Sequence, residues 1–376
     1  MSPRQDQQPS LAAAGAVLTI DLGALRANYR LLKGRVGGAG AAAVVKADGY
    51  GLGGAEVARA LIAEGCDMFF VAHLGEAIRL RATVGAGPSI QVLNGIAPGA
   101  EDECVAAAVT PVLNSLEQVA AWRQAAKRGG RSLPATLQVD SGMSRIGMPP
   151  ADLERLAATA GGFDGIAIGL VISHLACADE PGHPANAAQL AEFGRLRRQL
   201  PPLPASLANS SAIFLGPEYH LDLVRPGAAL YGVNPTPGKP NPMRQVVHLA
   251  AKVLQSRELP AGTGVGYGHT FHADRPMRAA TISLGYADGW PRRAVAAAFL
   301  GDVRLPFIGR VSMDSIIIDV SRLERPLAAG ELVEVIGPRQ SVDDVAALAG
   351  TIGYEILTSL GRRFHSVYVD EAPALG

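Results

Sequence analysis

Apolar runs and amphipathic segments alternate along residues 24–232. Runs such as 41–45, 68–72 and 89–93 are largely apolar, whereas the segments between them repeat apolar residues every three or four positions. Continuous apolar runs are typical of strands that are buried on both faces, and the repeat is typical of helices that pack on such a sheet. About eight such alternations predict a (β/α)8 TIM-like barrel, with an open doubly wound sheet as the competing arrangement.

The alternation ends at residues 234–242, where proline and glycine are dense. Proline cannot continue a helix or a central strand, so this stretch predicts a domain boundary. Beyond it most apolar runs are short and strand-like, which predicts a mostly β domain. We therefore predict a disordered tail over 1–16, a barrel over 17–236 and a C-terminal β domain over 237–376, with the strand at about 17–21 as a candidate to pack with the β domain.

Charge and composition exclude several classes of partner. The 376 residues include 34 Lys+Arg and 34 Asp+Glu without a basic run, so nothing draws the chain toward nucleic acid or an anionic membrane. The 3 cysteines have no paired spacing and the 8 histidines no metal-ligand spacing, which argues for a reducing compartment and against a bound metal. With no secretion signal and no apolar stretch of membrane length, the sequence predicts a cytoplasmic protein.

Lys46 follows the apolar run 41–45 directly and precedes the glycine-rich segment 49–54. A lysine at the end of a buried strand is costly to desolvate, and partial burial lowers its pKa and makes the amine a nucleophile. An isolated lysine at such a place more often reaches water with its ammonium group, so the neighbouring motifs decide. The glycines also match the G-x-G-x-x-G fingerprint of dinucleotide sites, but His73 follows the next strand, where that fingerprint needs an acidic residue.

Polar and charged residues follow other predicted strands as well. Arg145 is suited to clamp a carboxylate, and His174 ends another strand. Segment 208–211 offers amide and hydroxyl groups at the head of a helix, and Arg225 precedes a glycine loop, as in barrel enzymes that hold phosphate. In the β domain, Tyr267 stands among glycines that leave its phenol prominent. Simpler readings are a local ion pair for Arg145, a helix cap for 208–211 and a hairpin aromatic for Tyr267.

Together these motifs resemble the alanine racemase family, whose members are pyridoxal-phosphate enzymes of the barrel type. The run 44–51 resembles the cofactor-lysine signature of the family, and the other motifs follow in family order from about Val17 to Val369. The resemblance implies an N-terminal barrel, a C-terminal mostly β domain and a head-to-tail homodimer with shared active sites. It also implies pyridoxal 5'-phosphate as the cofactor and alanine as the substrate, with D-alanine biosynthesis and alanine breakdown both open as the cellular role.

The resemblance also implies roles for individual residues. Lys46 and Tyr267 are then the two catalytic bases, with Tyr267 contributed by the second chain. The implied cofactor-binding residues are Lys46, Tyr50, His174, Asn209, Ser210, Arg225, Gly227, Ala228 and Tyr354. The implied substrate-binding residues are Arg145 and, across the interface, Met313. Tyr286 and Tyr354 resemble a narrow gate that favours a small side chain.

Two residues depart from the family pattern. Gln138 stands where many members have a carbamylated lysine that bonds the carboxylate-binding arginine, and a glutamine cannot carry a carbamate. The amide oxygen of Gln138 could accept a hydrogen bond from Arg145 instead. Ser312 stands where a cysteine is common.

The chemistry of inversion agrees with these residues, because a proton must leave one face of the α-carbon and another must return to the opposite face. The sequence therefore predicts a racemase of this family. The alternatives are a broader-specificity amino-acid racemase of the same fold, a barrel-type decarboxylase, a cofactor-carrier protein built on the barrel alone and a dinucleotide-dependent oxidoreductase. The β domain with Tyr267 argues against the carrier, and the missing acidic residue argues against the oxidoreductase.

Overall fold

The computed structural model describes residues 8–372, and its first half is a parallel barrel. Strand β1 (Ala16–Asp21) and helix α1 (Leu22–Arg35) precede it. The barrel strands are β2 (Gly40–Ala41), β3 (Ala43–Val44), β4 (Met68–Val71), β5 (Ser89–Val92), β6 (Thr110–Leu113), β7 (Leu133–Gln138), β8 (Ile166–Ile172), β9 (Ala205–Ser206) and β10 (Leu223–Val224). Strands β3 to β9 pair in sequence order, and every pairing is parallel.

Strand β10 closes the barrel. It pairs in parallel with β2, and the N–H of Ala42 donates to the carbonyl of Val224 over 2.9 Å. On its other side the N–H of Arg225 donates to the carbonyl of Ala208, also over 2.9 Å. The predicted TIM-like barrel is therefore confirmed, and the open doubly wound sheet was the wrong alternative.

Helices cover the outside of the barrel between successive strands. They are α2 (Gly54–Ile62), α3 (Leu74–Val84), α4 (Glu101–Ala106), α5 (Leu116–Gly129), α6 (Pro150–Ala158) and α7 (Ala185–Arg197). The capping residue of α5 is Ser115, whose hydroxyl accepts from the N–H of Gln118, and the helix buries Trp122 against the sheet. Beneath the helices the strands bury both faces, as Phe69 and Phe70 show. This double burial explains the continuous apolar runs in the sequence.

The C-terminal part is mostly β, as predicted. Its strands are β11 (Val247–Leu259), β12 (Gly264–Val265), β13 (Phe271–His272), β14 (Met277–Ile282), β15 (Ala297–Leu300), β16 (Val303–Ile308), β17 (Ile316–Asp319), β18 (Leu332–Ile336) and β19 (His365–Val369), and its helices are α8 (Val342–Ala349) and α9 (Gly353–Ser359). The main sheet has the order β14-β17-β16-β15-β18-β11-β1-β19. Strand β1 lies between β11 and β19, so the chain passes through this sheet before α1 leads into the barrel.

Residues 8–15 differ from the disordered tail that the sequence predicts over 1–16. Gln8 lies beside the edge strand β19, where its side-chain oxygen accepts a 2.9 Å hydrogen bond from the N–H of Ser366, and further along the carbonyl of Ala12 accepts from Lys252 of β11 over 3.0 Å. The polar composition suggested fraying, but an edge strand offers backbone partners that composition does not reveal. The rest of that prediction, residues 1–7, lies outside the described residues. Within the described part of the chain, no helix has the length and apolar character needed to span a membrane.

Candidate active site

The segment after β3 turns in a left-handed sense directly behind Lys46. Four successive residues, Ala47, Asp48, Gly49 and Tyr50, have φ between 53° and 64°. Three of the four carry side chains, for which this backbone region costs about 1–2 kcal/mol per residue. Backbone strain of this kind concentrates at functional sites, where surrounding contacts hold it in place.

The amine of Lys46 is partly buried at the mouth of the barrel. Burial lowers the pKa of Lys46, and the positive charge of Arg145 lowers it further, whereas the carboxylate of Glu76 acts in the opposite direction. The neutral, nucleophilic amine is therefore reached at a lower pH than for an ordinary lysine.

Arg225 lies under this mouth with only 4% of its surface exposed. Its guanidinium donates to the hydroxyl of Ser206 and, over 2.6 Å, to the carbonyl of Ser173. Both acceptors are neutral, and no carboxylate pairs with Arg225 among residues 8–372. Burial lowers the pKa of Arg225 to about 10, so the group stays protonated at neutral pH.

His174 joins the same group of side chains. Burial, followed by the positive charges of Arg225, Arg145 and Lys46, lowers the pKa of His174 to about 3. The imidazole is therefore neutral at neutral pH. The structure thus brings four predicted residues together, and their arrangement concentrates positive charge that attracts phosphate and carboxylate groups.

The depressed pKa of His174 predicts a loss of stability in acid. An unfolded histidine has a pKa of about 6.5, so below pH 6.5 the unfolded chain binds a proton that the folded chain does not. The contribution of this group to the free energy of unfolding is present above pH 6.5 and is lost as the pH falls toward 3. We expect about 2 kcal/mol of loss between pH 7.5 and pH 5. Urea unfolding at fixed protein concentration measures it, and His174→Asn should flatten this slope while His272→Asn, at an exposed position, should not.

A serine and two backbone N–H groups form a cradle beside Arg225. The hydroxyl oxygen of Ser210 accepts from the N–H of Gly227 over 2.9 Å and from that of Ala229 over 3.2 Å. Ala228 begins a 3-10 turn, and the first N–H groups of such a turn have no acceptor within it. Asn209 uses its side-chain oxygen to cap the turn that follows, accepting from Ala212 over 3.0 Å. For Asn209 the simpler reading as a cap therefore describes what the structure shows.

Tyr50 fills the other side of the cradle. Its ring lies 4.7 Å from the ring of Tyr231 and 6.4 Å from that of Tyr354, edge to face with the latter. Tyr354 is hydrogen-bonded to Ser211 and lies in the first turn of α9. Burial raises the pKa of Tyr50, so its phenol keeps its proton and can donate.

A methyl group at position 227 has no space in this cradle. A Cβ on Gly227 would lie 2.4 Å from the phenol oxygen of Tyr50 and 3.3 Å from the Cβ of Val44. We expect Gly227→Ala to destabilise the fold by about 1–3 kcal/mol, because the packed Tyr50 must move, and to weaken anion binding in the cradle. Thermal unfolding and phosphate titration measure both effects. Gly38→Ala is the control, because a Cβ added at position 38 would meet no other side chain or backbone atom within 4 Å. Equal stability and equal phosphate binding of the two variants would contradict the prediction.

Arg145 is exposed on a loop that polar side chains hold from below. The carboxylate of Asp140 accepts from the N–H groups of Gly142 and Met143, each over 2.9 Å, and from Ser144 over 3.1 Å. Asp140 therefore caps the loop, and the structure does not show the local ion pair between Arg145 and Asp140 that was the simpler reading.

Gln138 fixes the same loop from its far end. Its side-chain nitrogen donates to the carbonyl of Ile146 over 3.1 Å. The hydrogen bond that the structure shows thus runs from the amide nitrogen to the backbone beside Arg145, and not from Arg145 to the amide oxygen as expected.

Tyr267, Tyr286 and Met313 lie on the C-terminal domain. Their exposed fractions are 70%, 40% and 53%. The N–H of Tyr286 donates to the carbonyl of Ser312 over 3.1 Å, so the Tyr286 and Met313 loops form one unit. Among the described residues of a single chain, no hydrogen bond, ion pair or ring contact joins these three to Lys46, Arg145 or the other charged residues of the barrel mouth.

Two matches with known protein domains cover most of the chain. Residues 20–235 match the N-terminal domain of alanine racemase, and residues 246–368 match its C-terminal domain. The chain belongs to the alanine racemase family. The resemblance in the motifs is therefore confirmed, as is the prediction of an enzyme, and the carrier and oxidoreductase alternatives were wrong.

Individual members of the alanine racemase family are similar to this chain over almost their whole length. A protein named "Alanine racemase, catabolic" from Mesorhizobium japonicum is 64% identical over 361 residues, which are 96% of this chain and 95% of that protein. A protein of the same name from Agrobacterium fabrum is 52% identical over 98% of this chain and 96% of its own. A crystal structure of alanine racemase from Bartonella henselae "with covalently bound pyridoxal phosphate" has a TM-score of 0.91 at 42% identity, covering 95% of this chain and 100% of that one.

Several residues that support this racemase site were missed in the sequence. Ser206 and Ser173 bind Arg225, and Tyr231 packs on Tyr50, but each lies far from its partner along the chain. Glu76 offered a signal, because an acidic residue three positions after the N-cap residue, here His73, is typical of a capping box. That signal indicates a helix start, and only the folded chain shows that Glu76 also reaches the Lys46 turn.

Proposed function

We propose that this chain interconverts L- and D-alanine with pyridoxal 5'-phosphate held covalently by Lys46. The observation that carries the proposal is the partly buried Lys46 amine, of lowered pKa, that stands with Arg145 and His174 at the barrel mouth of an alanine racemase family member. A nucleophilic amine is what the aldehyde of this cofactor requires.

The residues present fit the cofactor. The cradle offers a phosphate the Ser210 hydroxyl, which the N–H groups of Gly227 and Ala229 hold in place, and the N–H of Ala228 at the start of the 3-10 turn, and Gly227 leaves the space that a Cβ would fill. Tyr50 and Tyr354 close it with phenols. Arg225, a buried guanidinium with only neutral acceptors, is suited to donate to the pyridine nitrogen, beside which His174 stays neutral.

The bound cofactor withdraws electrons from the α-carbon of the substrate and makes its proton acidic. Arg145 binds the carboxylate of the substrate through two parallel N–H donors. The Nζ of Lys46 takes or returns the α-proton on one face. Arg225 would hold the pyridine nitrogen of the cofactor by donating to it, and because Arg225 keeps its own proton at neutral pH, it would moderate the electron withdrawal that the cofactor would supply.

The second face needs a base that a single chain does not supply. Tyr267, Tyr286 and Met313 are large, exposed and gathered on the C-terminal domain, which suits a surface covered by another protein. We propose a homodimer in which the Tyr267 phenol of one copy faces the Lys46 amine of the other, with the Met313 backbone near Arg145. Tyr286 then narrows the site together with Tyr354, so a methyl side chain fits better than a larger one.

A circular-dichroism assay on purified protein tests the activity. L-alanine and D-alanine should each lose optical activity and reach the same racemic end point. A panel with serine and 2-aminobutyrate separates alanine racemisation from the broader racemase, because the narrow gate predicts much lower turnover of both. No change in optical activity with either alanine enantiomer would refute the function.

The cellular role of the enzyme depends on which enantiomer of alanine the cell provides as its substrate. We propose a cytoplasmic enzyme, in line with the unpaired cysteines Cys66, Cys104 and Cys177. The sequence left D-alanine biosynthesis and alanine breakdown both open, and the relatives from Mesorhizobium japonicum and Agrobacterium fabrum carry the word "catabolic" in their names. This observation favours alanine breakdown as a second candidate role. A deletion strain separates the two: a D-alanine requirement indicates biosynthesis, and failure to grow on alanine as the carbon source indicates breakdown.

A further inference from the structure

Glu76 lies in the first turn of α3, next to the strand that leads to Lys46. Its Oε2 accepts hydrogen bonds from the N–H groups of Ala72, over 2.8 Å, and His73, over 3.1 Å, at the end of β4. Its Oε1 accepts a 2.7 Å hydrogen bond from the N–H of Ala47. One carboxylate therefore joins the ends of two adjacent barrel strands.

The hydrogen bond from the Ala47 N–H to Glu76 is made by the first residue of the left-handed turn. A turn of four left-handed residues with three side chains is unfavourable for an isolated backbone, so contacts from outside must hold it. Within the turn, the carboxylate of Asp48 accepts from the N–H of Gly54, which lies beyond the turn, over 2.8 Å. At its near end the bond comes from Glu76. The peptide that Glu76 holds is the one that joins Lys46 to Ala47.

We propose that Glu76 is a positioning residue for Lys46, because its bond to the Ala47 N–H fixes the start of the left-handed turn and hence the direction of the lysine side chain. This inference rests on the proposed role of Lys46 in the reaction. Glu76 also acts on Lys46 electrostatically, because its negative charge raises the pKa of Lys46, whereas burial and Arg145 lower that pKa.

The role requires an ionised carboxylate. Three N–H groups donate to the two oxygens of Glu76, and a carboxylate is the side-chain group that only accepts. Glutamine has the same size but presents one NH2 donor. In Glu76→Gln, the NH2 group must therefore point either at the Ala47 N–H or at the N–H groups of Ala72 and His73. In the first case the turn loses its hydrogen bond, and in the second case the start of α3 loses its cap.

Kinetics of the holoenzyme provide the first test. We expect Glu76→Gln to lower kcat for alanine by about 10- to 100-fold in both directions, since small misplacements of a reacting group have effects of this size. KM should change by less than about threefold, because the backbone of the loop that carries the carboxylate-binding Arg145 is bonded to Asp140 and Gln138 and not to Glu76. The matched control is Glu117→Gln, an acidic residue in the first turn of another barrel helix, α5.

Hydrogen exchange provides a second test that does not depend on activity. Amide exchange in the peptide covering residues 44–53 should be faster in Glu76→Gln than in the wild type, both with and without cofactor, while peptides of the C-terminal domain stay unchanged. Glu76→Asp keeps the charge with a shorter reach, so it should show an intermediate kcat, and it replaces the glutamine variant if that variant does not fold.

The proposal is overturned if Glu76→Gln, or Glu76→Asp in its place, keeps kcat within twofold of the wild type, or if exchange in residues 44–53 is unchanged. A rise in KM with unchanged kcat also overturns it, because substrate binding would then be the affected step. A wild-type protein that is inactive on alanine defeats the proposed function instead, and the exchange experiment still decides whether Glu76 holds the turn.

Discussion

Lys46→Ala is expected to lower racemase activity by about 10⁴-fold or more, because the variant loses both the covalent anchor of the cofactor and one catalytic base. Lys46→Arg should be as inactive, since a guanidinium retains the charge but holds its proton at every working pH. Lys127→Ala, at an exposed position on α5, is the control and should behave as the wild type.

Borohydride labelling connects this loss to its cause. Reduction of the wild-type holoenzyme should attach the cofactor to the peptide that contains Lys46, and Lys46→Ala should carry no label there. A small primary amine should restore part of the activity of Lys46→Ala, because it can replace the missing base. Label on a different peptide, or turnover above a few per cent in the alanine variant, would show that Lys46 is not the reactive amine.

Tyr267→Phe should lower kcat for racemisation by about 10²- to 10⁴-fold, the contribution of a positioned general acid–base group. In D2O this variant should still exchange the α-proton of one alanine enantiomer with solvent without inverting it, because Lys46 continues to serve its own face. Equal racemisation rates in Tyr267→Phe and the wild type would exclude the two-base scheme.

Mixed dimers test whether Tyr267 acts across an interface. When Lys46→Ala and Tyr267→Phe chains associate at random, half of the dimers are mixed, and one site in each mixed dimer combines an intact Lys46 with an intact Tyr267 from the other chain. We expect about a quarter of wild-type activity from these two nearly inactive variants, as shared sites in a twofold dimer require. Mixing Lys46→Ala with Lys46→Arg is the control and should restore nothing. If the first mixture also restores nothing, Tyr267 does not act in trans.

The sequence predicted the fold and the site to different extents. The barrel was predictable because strands buried on both faces leave continuous apolar runs that recur at regular spacing. The ordered path of residues 8–15 was not, because it depends on backbone groups of β19 that lie more than three hundred positions away in the sequence. The placement of β1 in the C-terminal sheet likewise depends on pairing with β11 and β19 and not on any local pattern.

Within the site, residues that follow barrel strands were recognisable one motif at a time. Lys46, His174 and Arg225 each end an apolar run, and parallel strands bring such ends to the same mouth. Their supporting residues left no comparable mark. Ser206 is a common residue type whose importance is visible only beside the Arg225 guanidinium, and Asp140 looked like an ion-pair partner until its oxygens were seen to accept backbone N–H groups.

The sequence alone thus specified the architecture and the identity of the reactive groups, because both depend on local pattern and residue type. The informative features were the order of the apolar runs, the glycines and the residues with reactive side chains. The tertiary structure decided what each group experiences. The lowered pKa of Lys46, the burial of the Arg225 guanidinium against neutral acceptors and the hydrogen bond between the left-handed turn and Glu76 all arise from burial and from contacts between distant segments. Electrostatic energies depend on distance and desolvation in space, and neither can be read from positions along a chain.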